Sequence, residues 1–373
     1  MNRTVFKVFN PLFVFAVSWL IVLALYMMNP VDVLYLSEGY GIAYIACLIL
    51  AVAILSVMVG YKKDVHFETQ SVIQSSKGKT YAKIFFAAAL LEVALKGLPP
   101  IFTGEDYTSW GISGLHGFIN VLGLYVSYWY FSIFLLATNR ERVTAATVLL
   151  LIFLWQILVL NRAIMMLNLV GLLYIALSMK RLKIKHLIVA PIAMIFLIGL
   201  VGDLRGMGED FIFVITKPKP WAEEMGVGFV WVVTYFTTAI SNLLFNIEQG
   251  QSTNFYPILF FNEFLPNIFK FDLKNADMML YEGNFNAGTI MRPSILAFGL
   301  LGPVITIALL VSLNVLNLVR KKSFDWFIFT TFLASTSVLS CYENTIFTPW
   351  LLFMFLLSLN FRIRHRSLLP CGA

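Results

Sequence analysis

Charge is scarce in this chain. Only 13% of its 373 residues are Asp, Glu, Lys or Arg, whereas 59% are hydrophobic and the mean hydropathy is +0.82. That balance excludes an ordinary soluble domain. Cysteine is nearly absent as well. Cys47, Cys341 and Cys371 form no spaced framework, and Cys47 sits inside an apolar run, so neither a disulfide scaffold nor a zinc site is expected. The four histidines are scattered. There is no metal-ligand spacing, no phosphate-cradling glycine loop and no nucleophile elbow, so the sequence implies no cofactor. Internal duplication and low-complexity stretches are also missing. The first apolar run, from about Leu12 to Met28, lacks a small-residue cleavage site and reads as a retained first helix.

What the chain does have is a series of apolar runs. They fall at roughly 12–28, 40–60, 82–98, 117–138, 143–160, 163–179, 187–202, 294–318, 324–340 and 346–361. Each approaches the ~20 residues that cross ~30 Å of hydrocarbon as a helix. The net charge of +7 sorts by loop. Nineteen of the 27 basic residues lie in alternate loops together with both termini, and sixteen of the 20 acidic residues lie on the other side. This asymmetry sets both termini in the cytoplasm. It makes basic character a report of topology and not of nucleic acid. The expected fold class is an all-α polytopic membrane protein of about ten transmembrane helices, a single membrane domain over 1–373.

One segment breaks the parity. Residues 227–246 are long enough to span, but a span there would put Arg320, Lys321 and Lys322 outside. Together with the apolar patch 255–269 they are expected to form re-entrant or interfacial helices within a large outer segment, 203–293. Thr234, Thr237, Thr238, Ser241 and Asn242 suit a protein-lined cavity better than lipid. Aromatic enrichment argues against disorder there, so chemistry is expected on the outer face.

Three arginines alone lie outside: Arg162 in a tight turn, Arg205 after the seventh span and Arg292 before the eighth. An arginine near the hydrocarbon boundary is costly unless it faces protein or water, and its planar fork matches phosphate. Snorkelling at helix ends is the bland alternative. Glu92 lies within the third span, with Lys96 four residues later on the same face as a candidate neutralising partner. The loop 97–117 supplies Glu105, Asp106, Tyr107, Trp110 and His116. Carboxylates and flat aromatics suit a sugar, whose hydroxyls donate and whose CH faces stack. An interfacial aromatic belt with solvated acids is the competing reading.

These segments resemble a known family. GLPPIFTGEDYTSWGISGLHGF, LNRAIMMLNLVGLLYIAL, YFTTAISNLLFNI and FNAGTIMRPSILAFGLLG are similar, in order and over most of 80–305, to the motifs of bacterial oligosaccharide repeat-unit polymerases, the Wzy O-antigen polymerase group. Two positions depart from the pattern. Ala297 stands where an acid often precedes Phe-Gly, and an Arg-x10-Gly spacing is not met by Arg162 or Arg205. The resemblance implies a membrane glycosyltransferase of GT-C-type architecture in the bacterial inner membrane, with its active site on the periplasmic face. It would move a growing glycan from undecaprenyl pyrophosphate to a sugar hydroxyl of the next lipid-linked unit. The implied partners are that lipid-linked oligosaccharide, the bilayer, a chain-length regulator and a flippase. The implied catalytic set is Arg162, Arg205 and Arg292 on the pyrophosphates, with His116 or Asp203 handling the acceptor proton. Glu92, Lys96, Glu105, Asp106, Tyr107, Trp110, Asn242, Asn286 and Glu343 would contact substrate. An O-antigen ligase-type transferase, a polysaccharide flippase and a membrane O-acyltransferase are the alternatives. The flippase would want buried charges in several spans, and the acyltransferase a histidine inside a span.

Overall fold

The computed structural model describes residues 3–68, 72–73, 75–104, 110–182, 209–249, 256–266, 269–271, 280–281, 288–320 and 322–359. The expected span at 187–202 lies outside them, as do Asp203, Arg205, Glu105, Asp106, Tyr107 and Asn286. The described chain is mostly helical. Among the described residues six stretches are long and apolar enough to cross a membrane: Tyr40–Val59, Ser76–Thr103, Leu115–Leu136, Arg140–Leu158, Val227–Glu248 and Arg292–Val319. Three shorter apolar helices are Pro11–Met27, Arg162–Ser178 and Phe324–Leu339.

Some of the helices begin where the sequence supplies a side-chain cap. The Asn10 side chain accepts from Leu12 N at 3.0 Å and opens α1 (Pro11–Met27), with Pro11 at the first position, where its missing N–H costs nothing. Ser75 caps α3 (Ser76–Lys96), and α2 (Tyr40–Val59) precedes it. After a short α4 (Pro100–Thr103) come α5 (Leu115–Leu136), α6 (Asn139–Leu158) and α7 (Arg162–Ser178). Asn161 caps α7 by accepting from Ile164 N at 3.2 Å. Then follow α8 (Glu209–Thr216), α9 (Pro220–Glu223), α10 (Val227–Glu248), α11 (Ile258–Asn262), α12 (Arg292–Phe298), α13 (Gly302–Val319), α14 (Phe324–Leu339) and α15 (Pro349–Leu357).

Two strands depart from the all-helical expectation. β1 (Arg3–Phe9) and β2 (Lys62–Glu68) pair antiparallel across α1 and α2, in the register Arg3↔Glu68 to Phe9↔Lys62. Their alternation explains it: Phe6, Val8, Val65 and Phe67 are buried, and Lys7 and His66 between them are not. Phe6 and Phe67 pack on Phe327 and Phe324 at the start of α14, with ring centroids 5.0 and 5.8 Å apart. The ribbon therefore marks one end of the bundle. α1 and α14 start there, α2 ends there, and α7 finishes beside it, where the Tyr174 hydroxyl donates to Phe9 O at 2.6 Å.

α5 is the central helix. It is 78% buried where α2 is only 22% buried, and it packs on α3, α6, α7 and α15. Inside this packing several polar groups are partnered by one another, as an apolar surround favours. Ser127 of α5 donates to Asn168 Oδ1 of α7 at 2.7 Å, and Asn168 Nδ2 donates to Gln156 of α6 at 3.0 Å. Near the ribbon, Asp325 accepts from Lys77 Nζ at 2.6 Å and from the Tyr125 hydroxyl.

α10 is one unbroken 22-residue helix, about 33 Å long at 1.5 Å per residue. Its length and composition would let it span; it packs on α1, α2 and α8, and several of its side chains also meet loops at the end opposite the ribbon. Tyr235 and Phe236 meet Tyr342, just after α14. Ser241 accepts from Tyr35 N at 2.7 Å, and Phe245 packs on Tyr35 and Tyr281. The chain leading into α10 is tied to the same α1–α2 connection, through Lys219 N donating to Pro30 O and through the Lys219–Asp32 ion pair.

Glu248 closes that layer. Its carboxylate accepts from the Ser37 and Tyr35 hydroxyls and from Glu38 N and Gly41 N, the last three at 2.9 Å. It thus serves as a distant cap for α2, where the helix dipole also favours negative charge. A Cβ added at Gly41 would lie 2.6 Å from Glu248 Oε1, so glycine permits the approach. Glu248→Ala should lower stability by about 1–3 kcal/mol, because it strands these donors. Glu248→Gln should recover only part, since an amide nitrogen cannot accept. Thermal unfolding of the purified protein in detergent measures both, and an unchanged midpoint would show that the carboxylate is not a staple.

Candidate functional site

The far end of the bundle, opposite the ribbon, gathers most of the described candidates. Arg162 is the first residue of α7 and is only 7% exposed. Its Nη1 donates to the Tyr235 hydroxyl at 2.8 Å. Its guanidinium carbon sits 4.9 Å from the Trp231 ring centroid and 5.8 Å from that of Tyr235. The two rings come from α10 at i and i+4, stacked with centroids 5.4 Å apart. Aromatic faces favour a cation there. Yet among the described residues Arg162 Nε and Nη2 are buried with no acceptor. Each unmade bond from a buried charged donor costs on the order of 1–3 kcal/mol. Those two free donors, at a helix N-terminus, could be matched by the acceptors of an anion.

Arg292 approaches from the next wall. It opens α12 and is half-buried. Its stem lies against Gly288, where an added Cβ would come within 2.5 Å of Arg292 Cδ. Gly288 in turn bridges in parallel to Glu343, and Ile290 N donates to Ser340 O at 2.8 Å. Glu343 follows Tyr342, which packs edge-on against Tyr235, the hydrogen-bond partner of Arg162. Arg162 through Tyr235, and Arg292 through Gly288, are thus both linked to one loop, residues 340–348. Among the described residues neither arginine forms an ion pair with a carboxylate.

A second group lies around the start of α5. Glu92 is fully buried near the end of α3. Its Oε1 accepts from Ile112 N at 2.9 Å, and its Oε2 is 3.0 Å from His116 Nδ1. The expected Glu92–Lys96 pairing is not formed. Lys96 is exposed at the C-terminal turn of α3, whereas Glu92 faces α5. Helix spacing put the two on one surface, but the tertiary partner lies on the neighbouring helix. Trp110 meets the His116 ring edge-on at 5.6 Å and Trp155 of α6 at 6.0 Å. Gly111 makes the turn possible: its φ is +105°, and a Cβ there would stand 2.8 Å from His116 Cγ.

Asn242 accepts from Tyr281 N at 3.2 Å, within the described part of the loop after α10. Thr237 and Thr238 donate back to carbonyls of their own helix. Sequence reasoning missed Tyr235, Trp231, Tyr342, Trp155 and Gly111. The i, i+4 aromatic pair on α10 was a legible signal for a face, but nothing local says that the face covers Arg162. Among the described residues no group of three His, Cys, Asp or Glu side chains gathers in metal-binding proximity.

No protein-family model matches the chain, and neither a curated protein nor a solved structure matches it.

Glu343 lies in the loop between α14 and α15. Burial pushes its carboxyl above the usual carboxylate range, and the neighbouring Tyr342 hydroxyl acts the other way. A carboxyl whose pKa rises on folding binds its proton more tightly in the folded state. Stability then falls as pH climbs from the ordinary carboxylate value through the raised one. Glu343→Gln removes the ionisation. The variant should therefore gain on the wild type as pH is raised from about 4 to about 8, in thermal unfolding of the purified protein. A constant difference across that range would show that the Glu343 carboxyl is not shifted by folding.

Proposed function

We propose that this chain polymerises undecaprenyl-pyrophosphate-linked oligosaccharide repeat units into a surface polysaccharide. The observation that carries the reading is Arg162: a guanidinium 7% exposed, walled by Trp231 and Tyr235, with Nε and Nη2 lacking acceptors among the described residues. A pyrophosphate on a lipid carrier supplies both acceptors and negative charge, and its lipid tail suits a site at the end of apolar helices. Arg292, linked to the same loop, is the second cation, and the sequence offers Arg205 as a third. The resemblance of residues 80–305 to repeat-unit polymerases supports the same substrate.

In this reading the chain crosses the inner membrane about ten times in a GT-C-like arrangement, with the ribbon end in the cytoplasm. Lys7, Lys62, Lys77, Arg140, Arg181 and Arg320 sit toward that end, as the positive-inside rule requires. α10 lies in the periplasmic layer over the far end. The leaving group is a pyrophosphate, already a good one, so the protein's contribution is positioning and charge stabilisation more than strong acid. The electron pair of the broken C–O bond leaves with the lipid pyrophosphate, and the arginine forks hold the growing charge.

The test is the gel profile of surface polysaccharide from a gene-deleted strain complemented with variants. Arg162→Ala and Arg292→Ala should collapse the ladder to a single-unit band while the protein stays in the membrane. Arg162→Lys should restore only part of the ladder, because a point charge does not reproduce the fork. Normal long-chain polymer from both alanine variants would overturn the pyrophosphate role. Loss of all attached units, with polymer left on the carrier lipid, would make the protein a ligase.

A further inference from the structure

We infer that Glu92 and His116 form a dyad that presents His116 Nε2 as the proton acceptor for the incoming sugar hydroxyl. Glu92 is the positioning residue, and Trp110 is one wall of the acceptor site. The inference rests on the polymerase reading for its substrate class, a carbohydrate hydroxyl, but its geometry stands on the structure alone.

Glu92 is 0% exposed at the far end of an apolar helix, a costly place for a carboxyl without partners. Its two partners explain its survival. Ile112 N–H donates to Oε1. Oε2 faces His116 Nδ1 at 3.0 Å, so a carboxylate there keeps the proton on Nδ1 and leaves the Nε2 lone pair free. Nε2 is the ring nitrogen that Glu92 leaves uncovered. Nδ1 is covered by a fully buried group, Gly111 lies against Cβ and Cγ, and yet a fifth of the side chain, 20%, is accessible. Among the described residues, Glu92 is the one charged group within ion-pair distance of the ring.

Three further features point to a ligand beside this ring. Trp110 stands edge-on to it, and Trp110 Nε1 and Trp155 Nε1 are both buried donors without acceptors. Gly111 is held at positive φ, so that the backbone passes close to the imidazole. Gly117, one residue after His116, lies against Trp350, and Trp350 follows the loop that carries Tyr342 and Glu343. The residue after His116 thus touches the helix that directly follows that loop.

In the reaction, Nε2 takes the proton of the acceptor hydroxyl as that oxygen bonds to the donor's anomeric carbon. The carbon's bond to the pyrophosphate oxygen breaks, and the electron pair departs with the lipid pyrophosphate. The imidazolium so formed faces Glu92, which offsets its charge, and its proton then passes to water.

The experiment has two parts. The first is 15N NMR of histidine-labelled protein in lipid nanodiscs, with the signal assigned by His116→Gln; the chain has only four histidines. The wild type should hold its proton on Nδ1, and Glu92→Gln should lose that fixed tautomer. The second measures polymerisation by the same proteins, using lipid-linked oligosaccharide extracted from the gene-deleted strain. Glu92→Gln should cut turnover at least about tenfold with KM nearly unchanged, and His116→Gln should cut it about a hundredfold or more. A proton on Nε2 in the wild type overturns the dyad, as does full turnover in Glu92→Gln. A correct tautomer in a strain whose surface polymer is unaffected by deletion overturns the polymerase reading instead, leaving the dyad's geometry in place.

Discussion

The far end of this bundle is organised by the cost of burying the Arg162 guanidinium. An arginine near hydrocarbon must find protein partners or water. Here, among the described residues, it finds one hydroxyl and two aromatic faces, all from α10, and keeps two donors unmatched. That requirement accounts for much of the surrounding architecture. α10 carries its aromatic pair over α7, and Tyr342 braces Tyr235 from the α14 side. Glu248 fastens the other end of α10 to the start of α2. The Ser127–Asn168–Gln156 chain fixes α7 between α5 and α6, so the guanidinium sits on a rigid support. A positioned cation with unmade bonds is the arrangement in which an arriving anion gains most and the protein reorganises least.

Much of the fold was readable in the sequence, and the reasons are local. Apolar runs of spanning length give helices whatever their neighbours. Asn10, Ser75, Asn161 and Ser323 mark helix starts through the geometry of their own side chains. The β1–β2 ribbon was missed although its alternation was visible, because its partner strand is separated from it by two helices. Unusual polarity singled out Arg162 and Glu92, but not their partners. Helix spacing favours Lys96 for Glu92, yet His116 lies 24 residues away and is brought in by the turn at Gly111. Tyr235 is 73 residues from Arg162, and nothing in the local pattern connects them. Tertiary partners at such separations are set by how whole helices pack, which a single sequence does not encode in any short window.

The two clusters divide the chemistry of glycosyl transfer in the proposed reading. Arg162 and Arg292 meet the leaving pyrophosphate. Glu92 and His116 meet the attacking hydroxyl. The loop from Ser340 to Thr348 is tied to Gly288 by the Glu343 bridge, and Trp350, just beyond it, lies against Gly117 beside His116. In that reading, charge developing on the leaving and attacking groups would be met by groups fixed in advance, which is how positioning lowers a barrier without strong acid catalysis.

The central claim is that Arg162 holds a lipid pyrophosphate, and ligand-dependent stabilisation of the purified protein tests it most directly. Farnesyl pyrophosphate, a short prenyl pyrophosphate, should raise the thermal midpoint of the wild type in detergent, and farnesol should not, because ligand that binds only the folded state stabilises it. Arg162→Ala should abolish the pyrophosphate-dependent shift. An equal shift in the variant, or one given equally by farnesol, would contradict the account and leave Arg162 as a structural cation beneath α10.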